Sequence, residues 1–217
     1  MTEKTTGAGI KLFLSSLAIS DPQSVELAKL VGKKPEDIKL ALIENAADTY
    51  ADGSRAWVDE NRAAIQSHDF DVEIIDIRKY KGKLPELKAK LTAKDVIWFG
   101  GGNTYYLRWL LKDLGVDKLL ADIVEQGVVY GGGSAGAIVA GPTLKHFETA
   151  DDPKDAPEVI LDGLHFTDTV VVPHMDNVKF AAVIHGINDK LKADGYKTTP
   201  LGDAQALVVD GNEERVI

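Results

Sequence analysis

Residues 131–137 read GGGSAGA and follow directly on the apolar run Val128-Val129-Tyr130. Gly131, Gly133 and Gly136 fit the G-x-G-x-x-G spacing of a dinucleotide-binding turn, whereas Gly132, Ser134 and Gly136 fit the G-x-S-x-G spacing of a nucleophile elbow. Both motifs need a strand, a tight turn and a helix, so the local context does not separate them.

Each motif also makes demands on the rest of the chain. A dinucleotide turn follows the first strand of its unit and needs an acidic residue about 20 positions later, at the end of the next strand. Here the turn follows the fifth expected strand, and Asp151 and Asp152 lie at that distance in a stretch with no strand before them. The cofactor reading fails. The elbow reading needs a base, because serine is a weak nucleophile until a neutral imidazole takes its proton. Five histidines are available: His68, His146, His165, His174 and His185. His174 follows the apolar run TVVVP, which places it at the C-terminal end of a strand, where α/β sheets carry their sites. His68 closes a helix, His185 lies within one, and His146 and His165 fall in irregular sequence; these four are read as structural or surface residues. Behind the serine, Ala135 opens a helix and offers an oxyanion-hole amide. Gly100-Gly101-Gly102-Asn103, again between strand and helix, presents further free amides at the same sheet edge.

Composition narrows the chemistry. The chain has 217 residues, 44% of them hydrophobic and 27% charged, which favours a single globular domain over residues 1–217. A net charge of −9 without a basic cluster argues against nucleic acid and anionic membrane as partners. Cysteine is absent, which removes disulfides, thiolate nucleophiles and cysteine-bound metal together. With no H-E-x-x-H pair either, neither a catalytic metal nor another cofactor is expected. The polar start MTEKTTGAG does not read as a signal peptide, and no run approaches transmembrane length, so a cytoplasmic protein is expected.

Short apolar runs alternate with helical periods along the chain, the pattern of an α/β fold around a mostly parallel sheet. Strands are expected at Lys11–Leu14, Ile38–Ile43, Val72–Ile77, Val96–Phe99, Val128–Tyr130 and Thr169–Val172. A late pair, Ala206–Val209 and Arg215–Ile217, flanks Asp210-Gly211 as a type I′ hairpin. Helices are expected at Val25–Val31, Ser54–His68, Tyr105–Leu114, Asp117–Gln126 and Phe180–Ala193, with Trp57, Ala64 and Ile65 on the buried face of the second. Residues 141–157, GPTLKHFETADDPKDAP, show neither period and form either a functional loop or a solvated excursion.

WFGGGNTYYL, GGGSAGAIVAGPT and VVPHMDN, in this order, resemble the peptidase E family of serine peptidases over about residues 11–209. The best-known members of that family are α-aspartyl dipeptidases, and cyanophycinases are relatives. The resemblance implies a three-layer α/β/α sandwich like that of class I glutamine amidotransferases, with serine in place of their cysteine. It implies Ser134 as nucleophile, His174 as general base, and Gly102 and Ala135 as oxyanion-hole donors. The family's acid lies in a loop resembling T-N-D-M-P; Thr149-Ala150-Asp151-Asp152-Pro153 makes Asp151 the match, with Glu148 and Asp152 open because the loop is about two residues longer. The segment after His174 holds Lys179 and His185 but no arginine, so peptide hydrolysis carries over better than an aspartyl preference. The expected protein is a serine peptidase acting on small peptides, Asp-Xaa dipeptides among them, through an acyl-enzyme, with a homodimer as the assembly to test. The alternative is a catalytically silent protein that binds a small metabolite on the same scaffold.

Overall fold

The computed structural model describes residues 9–217, so the polar N-terminus, apart from Gly9, lies outside the described residues. Strands that are covered on both faces by helices read as continuous apolar runs, and this chain builds its sheet from them. The strands are β1 (Lys11–Ser15), β2 (Lys39–Ile43), β3 (Asp71–Ile74), β4 (Val96–Phe99), β5 (Val129–Gly133), β6 (Thr169–Val172), β7 (Lys197–Pro200), β8 (Ala206–Asp210) and β9 (Glu213–Val216). Seven of them form one sheet in the order β3-β2-β4-β5-β1-β8-β9, in which the first five are parallel, β8 is antiparallel to β1 and β9 is antiparallel to β8. Strands β6 and β7 pair in parallel as a second, two-stranded sheet.

The helices are α1 (Asp21–Val31), α2 (Ala56–Gln66), α3 (Leu84–Thr92), α4 (Thr104–Asp113), α5 (Val116–Glu125), the short α6 (Ala135–Ile138) and α7 (Ala181–Ala193). Alternation along β1 separates the two cores. Leu12 and Leu14 pack with α3, α4, α5 and α7 on one face, while Phe13 packs with Leu27 and Leu30 of α1 and Ile65 of α2 on the other. The result is the expected three-layer α/β/α sandwich.

Several local expectations change. Two elements carry no assignment in the sequence reading: α3, a short charged helix, and β7, a polar strand ending in proline. Strand β5 continues past Tyr130 through Gly131–Gly133, because those glycines pair with β4 and β1. A Cβ on Gly131 would sit 2.4 Å from the Trp98 ring, so this glycine makes room for a core side chain and not for a pyrophosphate. The late hairpin turns one residue further on, at Gly211-Asn212, and among its two turn residues only Gly211 has positive φ, which is the II′ pattern rather than I′. Residues 141–157 are no solvated excursion: Leu144 and Phe147 are fully buried, and short 3-10 turns form at Phe147–Thr149 and Pro153–Asp155.

Candidate active site

The C-terminal ends of five strands converge on one point. Strand β5 delivers Ser134, β4 the Gly100–Asn103 turn, β1 Ser16, β6 His174 and β7 Asp203. Ser134 has φ 50° and ψ −111°, a conformation that costs a non-glycine residue of order 1–3 kcal/mol and persists only where its surroundings enforce it. Here its amide donates to Ser15 O at 3.1 Å, and its carbonyl accepts from Ala137 and Ile138, both at 2.9 Å, as α6 winds up behind it. The turn closes glycine against glycine. A Cβ on Gly132 would lie 2.4 Å from the Gly136 carbonyl, and one on Gly136 would lie 2.2 Å from Phe99 O. The spacing read in the sequence is therefore a record of backbone contacts that exclude any side chain.

Ser134 Oγ lies 2.9 Å from His174 Nε2, and His174 Nδ1 lies 2.7 Å from Asp203 Oδ1. The imidazole is fixed at both ends of its backbone: its N–H donates to the buried Ser16 hydroxyl at 2.8 Å, and the following Met175 amide donates to Leu201 O at 3.0 Å. The β6–β7 pairing, continued by Leu201 N to Val172 O at 2.9 Å, sets Asp203 beside the ring. Asp203 Oδ2 accepts from Asn177 Nδ2 at 2.7 Å, and its amide donates to Asp176 Oδ1 at 2.7 Å. Partial burial pushes the Asp203 carboxyl up, but the bonds from His174 and Asn177 outweigh it and hold the group below its usual range, so it is ionised near neutrality. A carboxylate at Nδ1 keeps the ring proton there and leaves Nε2 free to accept from Ser134.

Ser134 and His174 are thus brought together as expected, but Asp151 is not brought to His174. Its Oδ2 accepts from the Thr104 amide at 2.9 Å, at the start of α4. Burial pushes the Asp151 carboxyl up, against the Thr104 bond and the electrostatic pull of nearby His174, which both favour its ionised form. The other two acids left open are also engaged elsewhere: Glu148 accepts from Tyr105 Oη at 3.3 Å, and Asp152 accepts from the Lys154 amide at 3.0 Å. The reason is topological, since β7 occupies the place beside the imidazole that the loop was expected to reach. Asp203 is the residue the sequence reading missed. The signals for it are faint: Gly195 ends α7, and the β-branched Thr198-Thr199 begin a strand pointing toward it. Of the remaining histidines, the His68 ring meets Ile19 O at 2.8 Å and the His146 ring meets Asp194 at 3.0 Å, which are structural contacts.

The Gly100–Asn103 turn faces the serine. A Cβ on Gly101 would lie 3.3 Å from Ser134 Cβ and 3.7 Å from Trp57 Cζ3, so Trp57 edges the site. This corrects its expected core position: Trp57 is only half-buried and stacks edge-on with Tyr50 at 5.6 Å. Gly100 N donates to Ile43 O and Asn103 N to Ala46 O, whereas among the described residues the amides of Gly101 and Gly102 have no protein acceptor. The Phe180 ring lies 5.9 Å from the His174 ring.

Comparison with known proteins places this geometry. The model of peptidase family S51 matches residues 18–217. The chain belongs to peptidase family S51. An uncharacterized peptidase of Listeria monocytogenes is 31% identical over 158 residues, covering 72% of this chain and 76% of that protein. One from Pasteurella multocida is 30% identical over 166 residues, covering 74% of this chain and 76% of that protein. Peptidase E of Escherichia coli is 33% identical over 89 residues, 41% of this chain and 38% of that protein. A Listeria monocytogenes crystal structure described under the peptidase E name superposes with a TM-score of 0.80 at 26% identity, over 95% of this chain and 97% of that one. A peptidase from an acI-B1 Actinobacterium shares the fold, with a TM-score of 0.71 at 17% identity over 97% and 88% of the two chains. The S51 fold and family are therefore those expected from the glycine and histidine motifs. Among the described residues no helix is long and apolar enough to cross a membrane.

Proposed function

We propose that this S51 peptidase is a serine peptidase that cleaves short peptides through an acyl-enzyme on Ser134. The observation that carries the reading is the unbroken chain Ser134 Oγ–His174 Nε2 at 2.9 Å and His174 Nδ1–Asp203 Oδ1 at 2.7 Å. In this scheme Ser134 Oγ attacks the scissile carbonyl carbon while Nε2 takes its proton. The tetrahedral intermediate then collapses, the C–N bond breaks, and the proton passes to the leaving amine. Water repeats the sequence on the ester and frees the acid. Asp203 holds the imidazole in the productive tautomer and stabilises its charged form. The amides of Gly102 and Ala135 are assigned to the oxyanion, supported by the unpaired state of the glycine turn and by the position of Ala135 at the first residue of α6.

The silent-binder alternative rested on the imperfect acid motif, and Asp203 at Nδ1 takes that support away. Hydrolysis of a dipeptide library, with Asp-Xaa members included, by wild type and Ser134→Ala tests the reading. Serine-dependent turnover that is unaffected by EDTA upholds it. Equal turnover by the variant, or activity lost to EDTA and restored by zinc, overturns it. Turnover of Asp-Xaa members alone would extend the aspartyl preference to this chain despite the absence of arginine from residues 175–189.

A further inference from the structure

With Asp203 on the imidazole, the resemblance leaves Asp151 without the contact it implied, yet its carboxylate is committed to a specific bond. The Gly101–Gly102 segment hangs from the β2 side of the sheet by Gly100 N to Ile43 O at 2.9 Å and Asn103 N to Ala46 O at 2.8 Å. Contact there is as close as it can be, since a Cβ on Gly102 would sit 2.2 Å from the Ala46 carbonyl. From the opposite side the loop of residues 151–155 grips the turn where it enters α4. Asp151 Oδ2 accepts from Thr104 N at 2.9 Å, and Asn103 Nδ2 donates to Asp152 O at 2.9 Å and to Asp155 Oδ2 at 3.0 Å. Asn103 in turn caps α4 by accepting from Tyr106 N at 2.9 Å.

The geometry points to Asp151 as a positioning residue for the oxyanion-binding turn: by capping Thr104 N it clamps the Gly101–Gly102 segment against Ser134, without a hydrogen bond to His174. The proposal rests on the reading of Ser134 as nucleophile. A displacement of about 1 Å in a group that meets the reacting atoms costs on the order of 10²-fold in rate, and loss of one oxyanion donor costs ~10²–10³. The clamp needs an acceptor at Thr104, not a charge. Burial already pushes the Asp151 carboxyl up, and a neutral carbonyl in its place would still accept the Thr104 N–H.

Three variants, Asp151→Ala, Asp151→Asn and Asp203→Asn, separate the roles on the fastest member of a panel of aminoacyl p-nitroanilides. Asp151→Ala should lose about 10²-fold in kcat with KM nearly unchanged, since only the transition-state oxyanion is affected. Asp151→Asn should recover to within about tenfold of wild type, because its amide oxygen can still accept the Thr104 N–H. Loss in Asp151→Asn as deep as in Asp151→Ala, or a loss carried by KM and not by kcat, overturns the proposal. Amide hydrogen exchange reads the clamp without any turnover. Residues 100–104 should exchange at least about tenfold faster in Asp151→Ala than in wild type or Asp203→Asn, and unchanged exchange there also overturns it. Ser134→Ala run on the same panel keeps the two readings apart: if it is as active as wild type the nucleophile reading fails, whereas the exchange result stands on its own.

Discussion

The elbow around Ser134 and the turn that carries Asp203 reach the same imidazole, one from each end, yet the sequence records them very differently. The elbow is defined by contacts among neighbours in sequence. Gly132 and Gly136 touch backbone to backbone, so any change at either position meets an atom. Asp203 is placed by a pairing between strands far apart in sequence, Thr169 with Lys197 through Val172 with Pro200, which no residue of Lys197–Pro200 announces by itself. Constraints that act within a turn leave a spacing that can be read. Constraints that act across a sheet leave only a preference for strand, and in a short polar strand that preference is faint.

The largest effects should come from the shared imidazole. Ser134→Ala should abolish peptide hydrolysis, with a loss of ~10⁴–10⁶ in kcat and an unchanged circular dichroism spectrum, because the turn loses one oxygen and opens no cavity. A folded variant that retains wild-type turnover would separate the elbow from the chemistry altogether.

Asp203→Asn should follow at about 10⁴-fold in kcat, since an amide can hold the ring in the wrong tautomer. Stability provides an independent reading. The Asp203 carboxyl lies below its ordinary value of 3.8, so its ionised form adds stability above that pH, and the increment is lost as pH falls through the lower folded value. The gap in Tm between wild type and Asp203→Asn should therefore be widest near neutrality and close below about pH 4. A gap that stays constant into acid would mean that Asp203 gains nothing from its partners.

These two variants divide the site along the line of what was legible. Ser134, His174 and the strands before them follow from glycine spacing and apolar runs, as do the parallel sheet and its covering helices. The end of strand β5 is hidden in the sequence because Gly131–Gly133 carry no strand propensity, although all three pair with β1 and the first two also pair with β4. Trp57 is half-buried where the helical period points to the core, because period alone cannot tell a core face from the rim of a cleft. Asp151 follows from a loop pattern, and its carboxylate accepts from the Thr104 amide instead of meeting the His174 ring.

Gly136→Ala should sharpen the comparison from the elbow side. Its new methyl would lie 2.2 Å from Phe99 O with no flexible side chain to yield, so the backbone of β4 or α6 must shift. Overpacking of this kind costs typically about 1–3 kcal/mol, read as a lower urea midpoint, and the displaced elbow should also depress kcat. An alanine accommodated without loss of stability would show that the tight glycine contact is relieved by small backbone movement.

The smallest effect is expected in β7, where Thr198 Oγ1 donates to the buried Asn188 Oδ1 of α7 at 2.9 Å. Thr198→Val keeps the β-branched shape and removes this donor, leaving a buried acceptor unpaired at a cost of ~1–3 kcal/mol. The better strand propensity of valine offsets part of that, so the net loss should be about 1 kcal/mol in urea unfolding. Activity should stay within about twofold, because Asp203 is held by His174 and Asn177 at 2.7 Å each and by its own amide on Asp176, and not by the face of β7 that carries Thr198. A tenfold fall in kcat with the expected small loss of stability would show that the seat of Asp203 is set by how β7 packs on α7. The polar face of the strand, unreadable in sequence, would then be as much a part of the site as the glycines of the elbow.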